Sequence, residues 1–418
     1  MARALYFKVL TVKLQRHLAP TAAPLSFLDI LRGVGAALYP KRFRSSLESQ
    51  LKEYFGVEHV FLVSSGKAAL TLILRALQTG SPRREVIIPA YTCFSVASAV
   101  RRAGLQVVLC DIDPGTLDFN LVRLKSVIGR DTLAVVAPHL LGQPADIVHI
   151  RGAAENAGAF VVEDAAQAMG GRDHGRWLGT QGDVGFFSLG RGKNVSAGSG
   201  GVIVTNSPSV ADALDDMLEG MPSEPVSRQF VELLAVVATR VLLHPLLYWL
   251  PAGLPFLGLG ETKYDETFPI YRMSNLGAGL LFSWKSRLDR ANRSRFHNSR
   301  LFLERLPASV HMHVVSKSRE SAPLRLPLLM PSAQAKATMC RMAHEQGLGV
   351  SALYPATIAK IPELTSMFQS KEYPGAEAVV SRLVTIPVHQ YVTEQDVDRI
   401  VKAIDRSWSG TQQVPVDR

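Results

Sequence analysis

The sequence predicts an α/β fold: a large domain with a mostly parallel seven-stranded sheet covered by helices, plus a smaller C-terminal α+β domain. Three observations carry this. Seven apolar runs of strand length recur between residues 59 and 205. Segments of helical spacing fill most of the gaps, as the crossovers of a parallel sheet require. The chain has 418 residues, 47% of them hydrophobic, which is enough for one large core and a smaller companion.

In chain order, residues 1–44 read as a basic, amphipathic extension. Lys8, Lys13 and Arg16 break every early apolar run before the core of a signal peptide forms, so a cytoplasmic protein is expected. Residues 25–38 (LSFLDILRGVGAAL) read as an amphipathic helix, packed on the main domain in preference to a membrane surface. The large domain spans 45–288. Its strands are His59–Val63, Val86–Pro89, Gln106–Cys110, Leu133–Ala137, Phe160–Glu163, Val184–Ser188 and Gly201–Thr205, with helices such as Lys67–Leu77 and His149–Ala157 between them. An apolar insert at 230–260 interrupts the rhythm. Arg240, His244, Pro245, Pro251 and Pro255 leave no uninterrupted run of the roughly 20 residues a membrane span needs. A buried helical insert or dimer contact is one reading, and a patch docked on the inner membrane face is the other. Residues 289–418 form the smaller domain, with strands at Leu324–Leu329 and Leu383–Pro387. A helix starts after Thr393, with Glu394 and Asp396 in its first turn, and a frayed tail closes the chain at 409–418.

Composition narrows the function. The net charge is +10, which suits phosphate-bearing substrates or an anionic surface. No helix-turn-helix or zinc-finger pattern accompanies it, so nucleic acid is not expected as a partner. The three cysteines, Cys93, Cys110 and Cys340, make no disulfide framework and show no metal-ligand spacing, so no metal is expected.

In open α/β sheets, ligands bind at the carboxyl ends of the strands, and chemistry-bearing residues follow several of these runs. Ser65, Gly66 and Lys67 open a helix after the first, where backbone N–H groups suit a phosphate. Asp164 ends the fifth in apolar surroundings and needs a cationic partner there; Gln167 is three residues on. Ser188 and Lys193 flank a glycine-dense loop, where a lysine can form a Schiff base with a carbonyl cofactor. A phosphate cup, an acid and a lysine together fit pyridoxal 5'-phosphate.

Here the chain resembles the DegT/DnrJ/EryC1/StrS family of pyridoxal-phosphate-dependent sugar aminotransferases. The matching stretches include SSGKAAL (64–70), VIIPAYTCFSVASAVRRAGLQVVLCDIDPGTLDFN (86–120), HLLGQPAD (139–146), VVEDAAQAMGG (161–171), GDVGFFSL (182–189), KNVSAGSGG (193–201), YRMSN (271–275) and RLVTIPVHQYVTEQDVDRIV (382–401), in family order. The resemblance implies an aspartate-aminotransferase-like, type I fold and a homodimer. It implies amino transfer from L-glutamate to a keto-sugar, most simply a nucleotide-linked one, in polysaccharide or glycoconjugate biosynthesis. A cyclitol or lipid-linked sugar as acceptor, or a membrane-docked scaffold without turnover, are the alternatives. Lys193 matches the lysine that bonds the cofactor, Asp164 the partner of its ring nitrogen, and Gln167 a residue near its phenolic oxygen. Ser188 and the backbone of Ser65, Gly66 and Lys67 match phosphate ligands. A branch of the family that dehydrates sugars has His in place of the lysine, and Lys193 argues against it. One departure falls in the phosphate cup and the others on the substrate side, among them Ser199 in the Gly198–Gly201 loop, where Glu is usual, and the apolar insert before YRMSN. Lys67 stands where Thr is usual. Cys93 replaces an aromatic residue, which leaves ring stacking to Tyr91 or Phe94. Ile270 replaces the Asn two positions before Arg272, a residue matched to a cross-subunit contact.

Overall fold

The computed structural model describes residues 16–38, 43–254, 262–316, 320–369 and 371–409. The basic stretch before residue 16, the insert residues 255–260 and all but the first residue of the expected tail lie outside the described residues.

The first half alternates helices and strands. Helices α1 (Phe27–Leu38) and α2 (Phe43–Phe55) precede β1 (His59–Val63), α3 (Gly66–Gln78), β2 (Glu85–Pro89), α4 (Phe94–Arg102) and β3 (Gln106–Cys110). Then come α5 (Leu121–Val127), β4 (Thr132–Pro138), α6 (Ile147–Glu155), β5 (Phe160–Asp164), β6 (Val184–Ser188) and β7 (Gly201–Thr205). All seven expected strands pair into one sheet in the order β1-β7-β6-β5-β4-β2-β3. Every pairing is parallel except those of β7, which is antiparallel to β1 and to β6. The reason is the connection: β6 and β7 are joined by the loop carrying Lys193, with no crossover helix, so the chain can only return antiparallel.

Parallel strands covered on both faces should be apolar throughout, and β4 (TLAVVAP) is buried at every position. On one face Leu70, Ile73 and Leu74 of α3 pack with Val86, Ile88, Val136 and Ile203. On the other, Ile87, Val135 and Val161 meet Leu124 and Ile150. Beside β1 and β7, Leu51, Phe55, Leu62, Phe187, Val204 and Trp284 form a third cluster. The head of α3 is capped, with Ser65 Oγ accepting from Ala68 N–H at 3.1 Å, whereas α4 starts after Cys93 without a side-chain cap.

After β7 come α7 (Pro208–Glu219), α8 (Val226–Leu242), α9 (Asn275–Leu280) and the long α10 (Trp284–Arg305). Helix α1 packs on α9 through its small residues: a Cβ on Gly279 would fall 2.8 Å from Gly33 Cα. The insert is not a buried helix. Of the residues of α8, Val236 alone is buried. The C-terminal part pairs β8 (Leu326–Leu329) antiparallel with β9 (Leu383–Ile386), enclosed by α11 (Ala333–Gln346), α12 (Pro374–Arg382) and α13 (Glu394–Ser409). Its core is Leu328, Met339, Val384, Ile386, Ile400 and Ile404, joined by Leu18 from the N-terminal segment. The start of α13 is fixed as the sequence suggests: Thr393 Oγ1 donates to Asp396 Oδ2 at 2.9 Å and accepts from Asp396 N–H at 3.3 Å.

Candidate active site

The carboxyl ends of β1, β5 and β6 open onto one cavity of about 250 Å³. Ser65, Gly66, Lys67, Asp164, Gln167, Ser188 and Lys193 all line it. The approach of two strand ends depends on missing side chains. A Cβ on Gly66 would stand 3.0 Å from Ser188 Cβ, and one on Gly201 would stand 2.4 Å from the Ser65 carbonyl oxygen. Glycine at both positions therefore lets the head of α3 and the end of β6 close into a small-residue cup. The α3 N-terminus points its partial positive charge into this cup.

Asp164 is the last residue of β5, at the carboxyl end of the strand. Its carboxylate is buried and accepts from Ala166 N–H at 3.0 Å. Burial raises its pKa above the usual carboxylate value, against the opposing pull of Lys193. The lysine moves the other way. Burial lowers its pKa, with Cys93 and Asp164 opposing the shift and the Arg325 guanidinium adding to it. Each charge is thus poorly solvated, and the lysine is biased toward the neutral amine that a nucleophile needs.

Glu163, one residue earlier and on the other face of the sheet, is satisfied. It accepts from His139 Nε2–H at 2.7 Å, from Gly179 N–H at 2.8 Å and from the N–H groups of Gln181 and Gly182. Burial alone would raise its pKa, but these bonds outweigh burial and hold it below the usual value. His139 Nδ1 accepts from Ala145 N–H at 3.0 Å, which leaves the ring proton on Nε2. The His139 backbone N–H also donates to the Asp164 carbonyl at 3.0 Å. Gln167 is oriented from both ends: Oε1 accepts from Leu141 N–H at 3.0 Å and Nε2 donates to Tyr354 Oη at 2.9 Å.

The remaining sequence candidates divide. Lys67 Nζ lies 3.7 Å from Asp265 Oδ2 and 4.4 Å from the Phe268 ring centre, so its charge is shared with the segment after the insert. Tyr91 and Phe94 are buried in the core, and the cavity wall between them is Thr92 and Cys93. The Tyr91 hydroxyl accepts from Tyr354 N–H at 3.3 Å. Arg272 lies elsewhere. It donates Nε–H to the Leu218 carbonyl at 2.6 Å and lines a separate cleft of about 510 Å³ with Arg44, Glu48 and Asp215. Its segment is nonetheless tied to the cup, because Ser64 N–H donates to the Tyr271 carbonyl at 2.9 Å.

His139 and Tyr354 line the cavity without having been singled out by the sequence. His139 directly follows β4, so the strand-end rule that found Asp164 would have found it. Tyr354 comes from a loop in the C-terminal part, and no local pattern marks it. The donor set fits a phosphorylated pyridine aldehyde: a cup of small residues at a helix head, and a buried acid and amine facing one cavity. Among the described residues no cluster of His, Cys, Asp and Glu could hold a metal ion.

Comparison with known proteins agrees. The chain is 36% identical to UDP-N-acetyl-3-dehydro-alpha-D-glucosamine 3-aminotransferase of Acidithiobacillus ferrooxidans, over 50% of this chain and 56% of that protein. It is 26% identical to spore coat polysaccharide biosynthesis protein SpsC of Bacillus subtilis, over 94% of this chain and 98% of that one. In structure it matches PseC of Helicobacter pylori, an aminotransferase of pseudoaminic acid biosynthesis, with a TM-score of 0.76 at 16% identity, covering 94% of this chain and all of that one. That likeness carries the type I fold. The family model for DegT/DnrJ/EryC1/StrS aminotransferases matches residues 37–405. The chain therefore belongs to the DegT/DnrJ/EryC1/StrS aminotransferase family.

Proposed function

We propose that this chain moves an amino group from L-glutamate to the ketone of a nucleotide-linked sugar during the making of a surface polysaccharide or glycoconjugate. The observation that carries the proposal is the pairing of Lys193 with Asp164 on one buried cavity whose rim is the head of α3. When bound, the cofactor supplies an electron sink and a carrier for the amino group. The chain's own side chains do the rest. Asp164 would keep the cofactor's ring nitrogen protonated, since a buried carboxylate favours a cationic partner. Lys193 would hold the cofactor, and its Nζ would move a proton at the reacting centre. Gln167, fixed at both ends, would help hold the cofactor ring. Ser188 Oγ and the N–H groups of Ser65, Gly66 and Lys67 hold the phosphate, with the Lys67 charge beside them. Tyr91 and Phe94 back the ring-side wall, and Arg272 serves the neighbouring subunit of a homodimer.

The basic balance of the chain suits a diphosphate-bearing acceptor, and the similar Acidithiobacillus enzyme is named for a UDP-sugar. A lipid-linked acceptor is the second reading, favoured by the exposed apolar stripe of α8. With it goes a cytoplasmic protein peripheral to the inner membrane face through 230–260. No described helix is long and apolar enough to cross a membrane. We also keep the division at 288/289 as a proposal, supported by the separate core around β8 and β9. The test is a panel of keto-sugar nucleotides incubated with cofactor and glutamate and read by mass spectrometry. An amino-sugar product formed by wild type and not by Lys193→Ala supports the reading. Absence of product together with no uptake of the cofactor would refute it.

A further inference from the structure

Helix α1 is inside out. Its buried residues are Asp29, Gly33 and Ala36. Its exposed face is Phe27, Leu31, Val34 and Leu38, with Phe27 67% and Leu31 69% exposed. At about 100° per residue these four fall within one narrow stripe. Helix α8 repeats the pattern: Val226, Phe230, Leu234, Val237 and Val241 are exposed and share one stripe along its whole length. The two stripes meet where the Arg240 guanidinium lies over the Phe27 ring, 5.1 Å from its centre. Phe282, exposed beside α1, carries Arg32 at 4.5 Å in the same way. An exposed apolar surface of this extent marks an interaction site.

The charges say what covers it. The single acid of α1 is Asp29, which is buried and satisfied internally by Ser26, Ser283 and Arg287. The single acid between residues 226 and 254 is Glu232, which turns toward Gly198 beneath the helix. Among the described residues, α1 and the segment 226–254 therefore turn apolar groups and arginines outward with no outward-facing carboxylate of their own. Between the segment leading into α1, the end of α8 and the start of α10 lies a cleft of about 170 Å³ lined by Ser26, Arg240, Arg287, Arg290 and Tyr391. Arg287 is committed to Asp29 at 3.4 Å. Arg240 Nε is buried without a hydrogen-bond partner. The inner wall is Asn194–Ser196, the residues directly after Lys193.

Deepening the peripheral placement proposed above, we infer that α1 and α8 together seat this protein on an anionic phospholipid leaflet, with a headgroup phosphate taken by Arg240 and Arg290. Apolar stripes dip into the acyl boundary while arginines beside them meet phosphates, the arrangement by which interfacial helices bind. A headgroup in the cleft would touch the loop that carries Lys193 and set the candidate active site close to the leaflet.

Flotation of the full chain with vesicles tests this. Wild type is expected to float with phosphatidylcholine vesicles containing phosphatidylglycerol, and to be released as salt rises. The outward-facing variant Phe27→Ser/Leu31→Ser, and separately Phe230→Ser/Leu234→Ser, should stay at the bottom of the gradient. Arg240→Ala/Arg290→Ala should float no better with phosphatidylglycerol than without it. Wild type that stays unbound to both vesicle types overturns the inference. So does a wild-type dimer that the serine variants convert to monomer in light scattering, since the face is then a subunit interface. Cofactor uptake by the same samples is read separately. Its absence counts against the enzymatic reading and leaves flotation to decide the docking surface.

Discussion

Adjacent residues at the end of β5 meet opposite fates on the two faces of the sheet. Glu163 lies on the closed side, where an imidazole and three backbone N–H groups converge on it, and its pKa is held down. Asp164 lies on the cavity side with the Ala166 N–H on its carboxylate, and its pKa is pushed up. Both carboxylates are buried, so burial alone does not separate them; the supply of donors does. The satisfied acid stitches the turn at 179–182 and the β4 exit to the sheet. The acid on the cavity side has fewer donors and faces the amine of Lys193, and a perturbed carboxylate lining a cavity marks a candidate ligand-binding acid.

The largest effect expected on this contrast comes from Lys193→Ala. It should lower amino transfer by at least about 10⁴-fold, the upper range for a lost proton-transfer group, while leaving the melting temperature near wild type. Activity within tenfold of wild type would remove the lysine from the reaction.

Asp164→Asn comes next, with an expected loss of about 10³-fold in turnover. Cofactor-free, the same variant should be more stable than wild type at neutral pH. Asp164 has a raised folded-state pKa, so its penalty to folding is present above that value and fades as pH falls toward 3.8. A variant less stable than wild type throughout would mean that Asp164 is a structural acid like its neighbour.

Glu163→Gln should reverse the pattern, costing about 3 kcal/mol of stability because a buried charge-assisted network is broken. Here the folded-state pKa is lowered, so the stabilisation is present above 4.5 and is lost as pH falls through the folded value. Denaturant melts of wild type and variant should therefore converge in acid; a gap that stays constant to low pH would contradict this. The smallest effect belongs to Lys67→Ala. Its pair with Asp265 is half-exposed and worth under about 1 kcal/mol. Cofactor affinity should weaken by about tenfold at most, as titration of the cofactor-free protein would show.

The sheet was legible because its strands are buried on both faces and read as unbroken apolar runs; each lies within a residue or so of its expected bounds. The reversal of β7 was not read, although the missing crossover helix before it was visible in the glycine loop. The cup and the acid were legible because they lie at strand ends, and the lysine because it sits in the glycine-dense loop that follows one. Tyr354 was not, because it reaches the cavity from a distant loop whose docking only tertiary packing decides. Its hydrogen bond to Gln167 joins residues 187 positions apart. The insert was half legible. Its apolar content was plain, but hydropathy does not tell a buried helix from one that faces outward, and α8 faces outward.

The most direct test of the pairing of Lys193 and Asp164 is chemical. The purified protein is loaded with pyridoxal 5'-phosphate, reduced with borohydride and digested, and its peptides are mapped by mass spectrometry. The phosphopyridoxyl group should sit on the peptide containing Lys193 and nowhere else. Label on another lysine, Lys67 included, or none at all, would contradict the account.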